Sequence, residues 1–289
     1  MGSRLAVKFW GTRGIIPSPR KETVVHGGNT SCIEIISNNA HIAVDAGFGI
    51  SHFGETFPEA QPVDIHIIFT HLHWDHIQGL PFFNPVYFPQ TNLYLHSPLP
   101  KNILKQELNI LFNESYSPFN GIENMPANIS FHKINHGDQI GGVEISYVEL
   151  QHSLSSEDCN PCYGYRFTEP TSSKSVSIIT DHEASDNQAN KKVLDFILDS
   201  DLIVHDAQYT HEEYQEKKGW GHSSMDAAIK NISLANGVQG LLTHHDPSRN
   251  DIDLDILHTN LKKKYSGASF EFAKERLIYE VNLKAKKTG

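Results

Sequence analysis

An α/β architecture of two packed mixed β-sheets, with helices on their outer faces, follows from three features of the sequence. Short apolar runs, each ending at Gly, Pro, Asn or a metal-ligand type of residue, recur through both halves. Stretches with helical spacing flank them. No linker, low-complexity segment or strong internal repeat divides the 289 residues, so residues 1–289 are read as a single domain.

Taken in order, the N-terminal strands are 5–10, 31–36, 41–45 and 64–70, each stopped by turn residues. Residues 77–90 carry so many prolines among aromatics that neither a regular helix nor a central strand is possible. A short strand at 93–96 and a helix over 101–112 close the first half. Strands at 129–134, 143–150, 164–167, 175–180, 202–205 and 240–243 build the second, with helices over 191–198, 223–235 and 251–264. Ser223 is the expected cap of the middle helix and Gly237 its stop.

Hydrophobic content of 38% with 20% charged residues suits a chain that buries a proper core. No run approaches the ~18 apolar residues of a membrane span, and no signal-peptide pattern opens the chain, so a cytoplasmic protein is expected. The net charge of −10 argues against a large polyanionic substrate, which calls for a basic stripe. The lysine clusters at 191–192, 217–218, 262–264 and 284–287 read as solvated helix faces or a terminus. Cys159-Asn160-Pro161-Cys162 is a lone CxxC, either a reduced turn or half of a structural zinc site.

The chemistry concentrates in His71-Leu72-His73-Trp74-Asp75-His76, directly after the apolar run ending at Thr70. Alternate residues of a strand share a face, so His71 and His73 can converge on one metal ion. Asp75 and His76 follow at a turn and can reach a second. Imidazole and carboxylate are ligands that zinc, manganese or iron accept. Later segments repeat the layout of an apolar strand ending in a ligand-type residue: Gln151-His152, Thr180-Asp181, His205-Asp206 and His244-His245. The Gly219-Trp220-Gly221-His222-Ser223 loop adds a further histidine. Strand alternation lets only one of Asp181 and His182, and one of His244 and His245, point inward.

With these motifs the chain resembles the metallo-β-lactamase superfamily, in particular its branch of RNase Z and small-substrate phosphodiesterases. The resemblance runs from Phe9-Trp10-Gly11-Thr12-Arg13-Gly14 to His244-His245-Asp246-Pro247. It implies a four-layer αβ/βα sandwich with two divalent metal ions, zinc first and manganese or iron as alternatives. By motif, His71, His73 and His152 would bind one ion, Asp75, His76 and His244 the other, and Asp181 would bridge them, with Asp206 its rival. Asp45 would support the site from behind. His205-Asp206-Ala207 stands where RNase Z-like proteins carry His-Glu-Ala, and Gly221-His222-Ser223 where they carry Gly-His-Ser/Thr. Asp206 is one methylene shorter than that Glu.

The implied activity is hydrolysis of a small phosphodiester, a cyclic nucleotide first, by a hydroxide shared between the two metals. Asp75, His222, Asp206 and His205 form the expected catalytic group. Asp75 would orient the hydroxide, and His222, held by Asp206, would protonate the leaving alkoxide. RNase Z carries a long tRNA-clamping insertion between its third histidine and bridging aspartate. Here residues 153–180 leave no room for it, so structured RNA is disfavoured. Trp74, Phe82, Phe83, Tyr87 and Phe88 could wall a base pocket, or pack as a hydrophobic lip. RNA 3′-processing, hydrolysis of an ester, lactone or thioester, and a non-enzymatic metal sensor are the alternatives. No membrane contact is expected, and the family resemblance favours a homodimer.

Overall fold

The computed structural model describes residues 4–37, 40–115, 119–152, 161–236 and 239–281. Among the described residues, fourteen strands fall into two seven-stranded sheets. The first sheet holds β1 (Leu5–Gly11), β2 (Cys32–Ser37), β3 (His41–Val44), β4 (Val63–Ile68), β5 (Thr91–Ser97) and β6 (Asn128–Lys133). The second holds β7 (Asp138–Ile140), β8 (Val143–Leu150), β9 (Cys162–Thr168), β10 (Ser175–Ile179), β11 (Leu202–Asp206), β12 (Gln239–Thr243) and β13 (Phe270–Phe272). The last strand, β14 (Ile278–Glu280), returns to the first sheet and pairs with β1.

The two sheets share one pairing scheme. Along β14-β1-β2-β3 the pairs are antiparallel, and along β3-β4-β5-β6 they are parallel. Along β7-β8-β9-β10 the pairs are again antiparallel, and along β10-β11-β12-β13 parallel. The crossovers between parallel neighbours carry most of the helices: α1 (Ile50–Gly54), α2 (Trp74–Ile77), α3 (Lys101–Asn109), α4 (Gln188–Ile197), α5 (His211–Glu216), α6 (Met225–Leu234) and α7 (Asp251–Lys264).

Three cores define four layers. Ile65 and Ile67 of β4 face Phe53 of α1 and Leu104 and Leu108 of α3. Ile68, on the opposite face of the same strand, joins Val7, Ile35, Phe167, Val176 and Val204 between the sheets. Ile203 of β11 turns outward to Val193 of α4, Ile229 of α6 and Leu254 of α7. This period-two division explains why the central strands read as continuous apolar runs: both faces are covered. Each fully buried side chain of this kind contributes roughly 1.5–3 kcal/mol. No helix of the described residues is long and apolar enough to cross a membrane.

Two expectations need correction. The middle helix of the second half starts at Met225, and its cap is Ser224, whose side chain accepts from the Ala227 amide; Ser223 instead donates to the His182 carbonyl and accepts from the Ala184 amide. The helix from Lys101 ends at Asn109 and tightens into a 3₁₀ turn through Phe112. The proline-rich loop after Ile77 holds neither α-helix nor strand, in line with its prolines, and makes two 3₁₀ turns, Leu80–Phe82 and Asn84–Tyr87. Cys159, Gly237 and the lysines of the C-terminal tail lie outside the described residues.

Candidate metal centre

Side chains from both sheets meet at one edge of the sandwich. His71 and His73 follow β4, with His73 capping α2, which carries Asp75 and His76. His152 follows β8, Asp181 follows β10, Asp206 ends β11, and His244 follows β12. Asp45, Asp181 and His244 each sit just past a strand end with φ of 64°, 53° and 61°. Asp and His tolerate the left-handed region better than most residues. This turn, rather than strand alternation, separates Asp181 from His182 and His244 from His245. His182 is turned to Asn190, and His245 to the Ala273 carbonyl and the Phe272 ring.

Among the described residues the donors gather in four overlapping groups, two of which include His222: with His152 and Asp181, and with Asp206 and His244. His71, His73 and His152 converge as a trio, and Asp75, His76, Asp181 and His244 as a quartet. His152 Nε2 lies 2.9 Å from His73 Nδ1 and 3.7 Å from Asp181 Oδ1. Asp181 also lies 3.1 Å from His76 Nε2 and 3.3 Å from His244 Nε2. Asp75 Oδ2 is 3.2 Å from His244 Nε2 and 3.4 Å from His76 Nε2. Asp181, a member of the quartet, therefore also approaches the trio through His152.

Four of the histidines have Nδ1 already engaged, which turns Nε2 toward the cluster. His76 Nδ1–H donates to Asp45 at 2.7 Å and His152 Nδ1–H to the Gly221 carbonyl at 2.9 Å. His244 Nδ1–H donates to Gln208 at 3.2 Å. Thr70 Oγ1 gives its proton to Asp45 and so accepts from His71 Nδ1–H at 3.1 Å. His71 Nε2 is buried without a hydrogen-bond partner, and His76 Nε2 and Asp181 Oδ2, buried 3.1 Å apart, make no aligned hydrogen bond. Orphaned donors of this chemistry fit a pair of divalent cations.

The electrostatics agree. Asp45, Asp75, Asp181 and Asp206 are all buried, and their ion pairs among the described residues are with histidine alone. Burial opposes charge on His76, yet Asp181, Asp75 and Asp45 outweigh it and hold its pKa well above the ordinary value. His244 is likewise pushed up to about 9, against burial, chiefly by Asp181. Burial opposes ionisation of Asp75 and Asp181 too, but the imidazoles drive both well below the usual carboxylate range. His71, by contrast, is pushed far down by burial and then by His76, which leaves a neutral donor. A cluster that charges its own histidines demands positive charge, and bound cations would supply it.

His222 stands at the rim, its Nδ1–H donating to Asp206 at 2.7 Å despite the shorter side chain. Its ring lies 4.9 Å from those of both His152 and His244. Asp206 also accepts from the His182 and Gln208 amides, which fixes the carboxylate. His205 does not join this group. Adjacent to Asp206 on β11, it points to the opposite face, where Nδ1–H donates to the Asp206 carbonyl and Nε2 accepts from Asn231. His182, His205, Asn190 and Asn231 form one buried chain, with the His182 pKa lowered to about 4 by burial and His205.

Cys162 lies in β9, its Sγ 3.7 Å from His71 Nδ1, and burial together with Asp181 keeps the thiol protonated. Of the aromatic stretch, Trp74 and Phe82 are exposed, whereas Phe83 lies in the core and Tyr87 packs against it. Trp220, beside Gly221-His222, is exposed as well. Three supporting residues escaped the sequence reading: Gln208, Glu183 and Ile15. Glu183 accepts from Tyr214 and from the amides of Gly219 and Gly221. Both glycines have positive φ, and a Cβ at Gly221 would collide with His152. The Gly-Trp-Gly spacing was the available signal for that loop.

Residues 40–245 match the family model described as a beta-lactamase superfamily domain. Ribonuclease Z of Staphylococcus carnosus (strain TM300) is 23% identical, with 96% of this chain and 100% of that protein covered. Among solved structures, the metallo-beta-lactamase fold protein YhfI from Bacillus subtilis superposes with a TM-score of 0.71 at 19% identity, covering 96% of this chain and 100% of that one. A diphosphatase from the PhnP family superposes with a TM-score of 0.66 at 17% identity, covering 97% and 99%.

Proposed function

The chain belongs to the beta-lactamase superfamily and has the fold of its metal-dependent hydrolases, and from that premise we propose that it hydrolyses a small phosphodiester, most simply a cyclic nucleotide. The observation that carries this reading is the Asp206–His222 pair beside the donor cluster. A phosphodiester expels an alkoxide, which needs a proton, and a histidine outside the ligand set can give one.

His71, His73 and His152 would hold one divalent ion and Asp75, His76 and His244 the other, with Asp181 shared. When bound, such ions polarise a phosphoryl oxygen and bring the pKa of water toward neutrality. Asp75 orients the attacking water. As the new P–O bond forms, the bond to the leaving oxygen breaks, and His222 gives that oxygen its proton. Asp206 holds the imidazole in line. Exposed Trp74 and Phe82 offer faces on which a nucleobase can stack.

Hydrolysis of a cyclic-nucleotide panel by metal-reconstituted protein, beside an Asp75→Ala control, tests the substrate class. Turnover that disappears in the control supports it. His222→Ala should lower kcat by roughly 10²–10⁴-fold while metal content holds. Equal loss of metal would make His222 a ligand and remove the observation on which the proposal rests. The end-to-end similarity to ribonuclease Z favours RNA processing as the second reading. Cleavage of structured RNA with steep salt dependence would select it.

A further inference from the structure

We propose that the backbone amide of Ile15 positions Asp75 for the second ion, through a strained turn that the buried Arg13 clamps in place. The inference rests on the two-ion reading above. Ile15 has φ of 68°, a region that a β-branched residue almost never adopts. The Ile16 amide donates to the Gly14 carbonyl at 2.8 Å, which closes a three-residue γ-turn with Ile15 at its tip. With positive φ at the centre, this is the rare and strained hand of that turn.

The side chain does not explain the strain, because Ile15 is 48% exposed. Its amide does: the N–H donates to Asp75 Oδ2 at 2.8 Å. Gly14 lies against His244, another side chain of the same donor group, so closely that a Cβ would run into the imidazole. One turn thus touches two donors of one ion. Strain of this kind persists only where the surroundings over-determine it.

They do so here. Arg13 is fully buried, and its guanidinium donates to the carbonyls of Gly27 at 2.7 Å, Arg249 at 2.8 Å and Asp246 at 3.2 Å. The Arg13 amide donates to the Asn29 carbonyl, the Gly14 amide to the His245 carbonyl, and the His245 amide back to the Thr12 carbonyl. The turn is therefore stitched directly to the segment that carries His244. A carboxylate fixed by a backbone donor meets an ion in one orientation, and losing such a partner costs about 10–100-fold in metal affinity.

The test replaces the Ile15 amide by an ester, using the 2-hydroxy acid analogue in cell-free translation, and titrates the full-length protein with Zn²⁺ in a calorimeter. Ile15→Gly, which keeps the N–H and accepts positive φ, is the companion. The ester should weaken one of two ions by about 10–100-fold, with the other ion and the melting temperature of the metal-free protein unchanged. Ile15→Gly should bind both ions as the parent does. An ester that titrates like the parent, or one that loses both ions and melts early, overturns the proposal. A parent that binds fewer than two ions overturns the two-ion reading itself, a result the parent titration gives alone.

Discussion

Glu275 is a carboxyl group whose surroundings favour its neutral form. Burial raises its pKa to about 7 from 4.5, although the Asn29 amide and side chain both donate to it and Arg13 and Arg276 lie near. A raised folded-state value means that the native protein holds this proton after the unfolded chain has released it. The contribution to stability is full below pH 4.5 and is lost as pH rises through about 7. Urea unfolding of Glu275→Gln beside the parent, both metal-free, should show the variant gaining relative stability from pH 5 to pH 8. A difference that stays flat with pH would refute this. At the same scale, the donors were legible because His71, His73, Asp75 and His76 sit in one short stretch, where spacing alone implies convergence. Ile15, Gln208 and Glu183 were not, because each acts through a tertiary contact that no local pattern encodes. His205 misled for a related reason: its neighbour Asp206 takes the inward face, and a motif does not say which of two adjacent residues turns in.

Among the elements, long runs buried on both faces were readable, and short edge pieces were not. β10 is buried at every position and β4 divides its isoleucines between two cores, so apolar continuity marked both. β7, β13 and β14 have only three residues each, too few for a period to show. α5 has no buried residue and hence no apolar stripe; its signal is the Thr210–Glu213 capping box. The serine pair at the start of α6 shows how capping and tethering divide between neighbours. Ser224→Ala removes an ordinary cap and should cost about 1 kcal/mol. Ser223→Ala leaves the buried Ala184 amide without its acceptor and frees the His182 carbonyl. It should cost more, about 1–3 kcal/mol. Thermal or urea unfolding of the two variants decides the order, and equal losses would show that Ser223 has no tethering role.

Over the whole molecule, the two halves repeat one scheme of antiparallel then parallel pairing, a relation that the sequence shows only as a similar style of strands. Each half also contributes its own donors: His71 to His76 from the first sheet, and His152, Asp181 and His244 from the second. Cations bound there would tie the sheets together, so chelation should lower the melting temperature and added metal restore it. At free ion about 100-fold above Kd the gain is about 2.7 kcal/mol per site. A melting temperature indifferent to chelator would show that the carboxylates are balanced by histidine alone. The clamp around Arg13 has a different consequence, in how the chain tolerates change. Every acceptor of its guanidinium is a main-chain oxygen, which no substitution at residues 246 or 249 can delete. Sequence drift at those two positions therefore cannot delete an acceptor directly, whereas the donor group is supplied by Arg13.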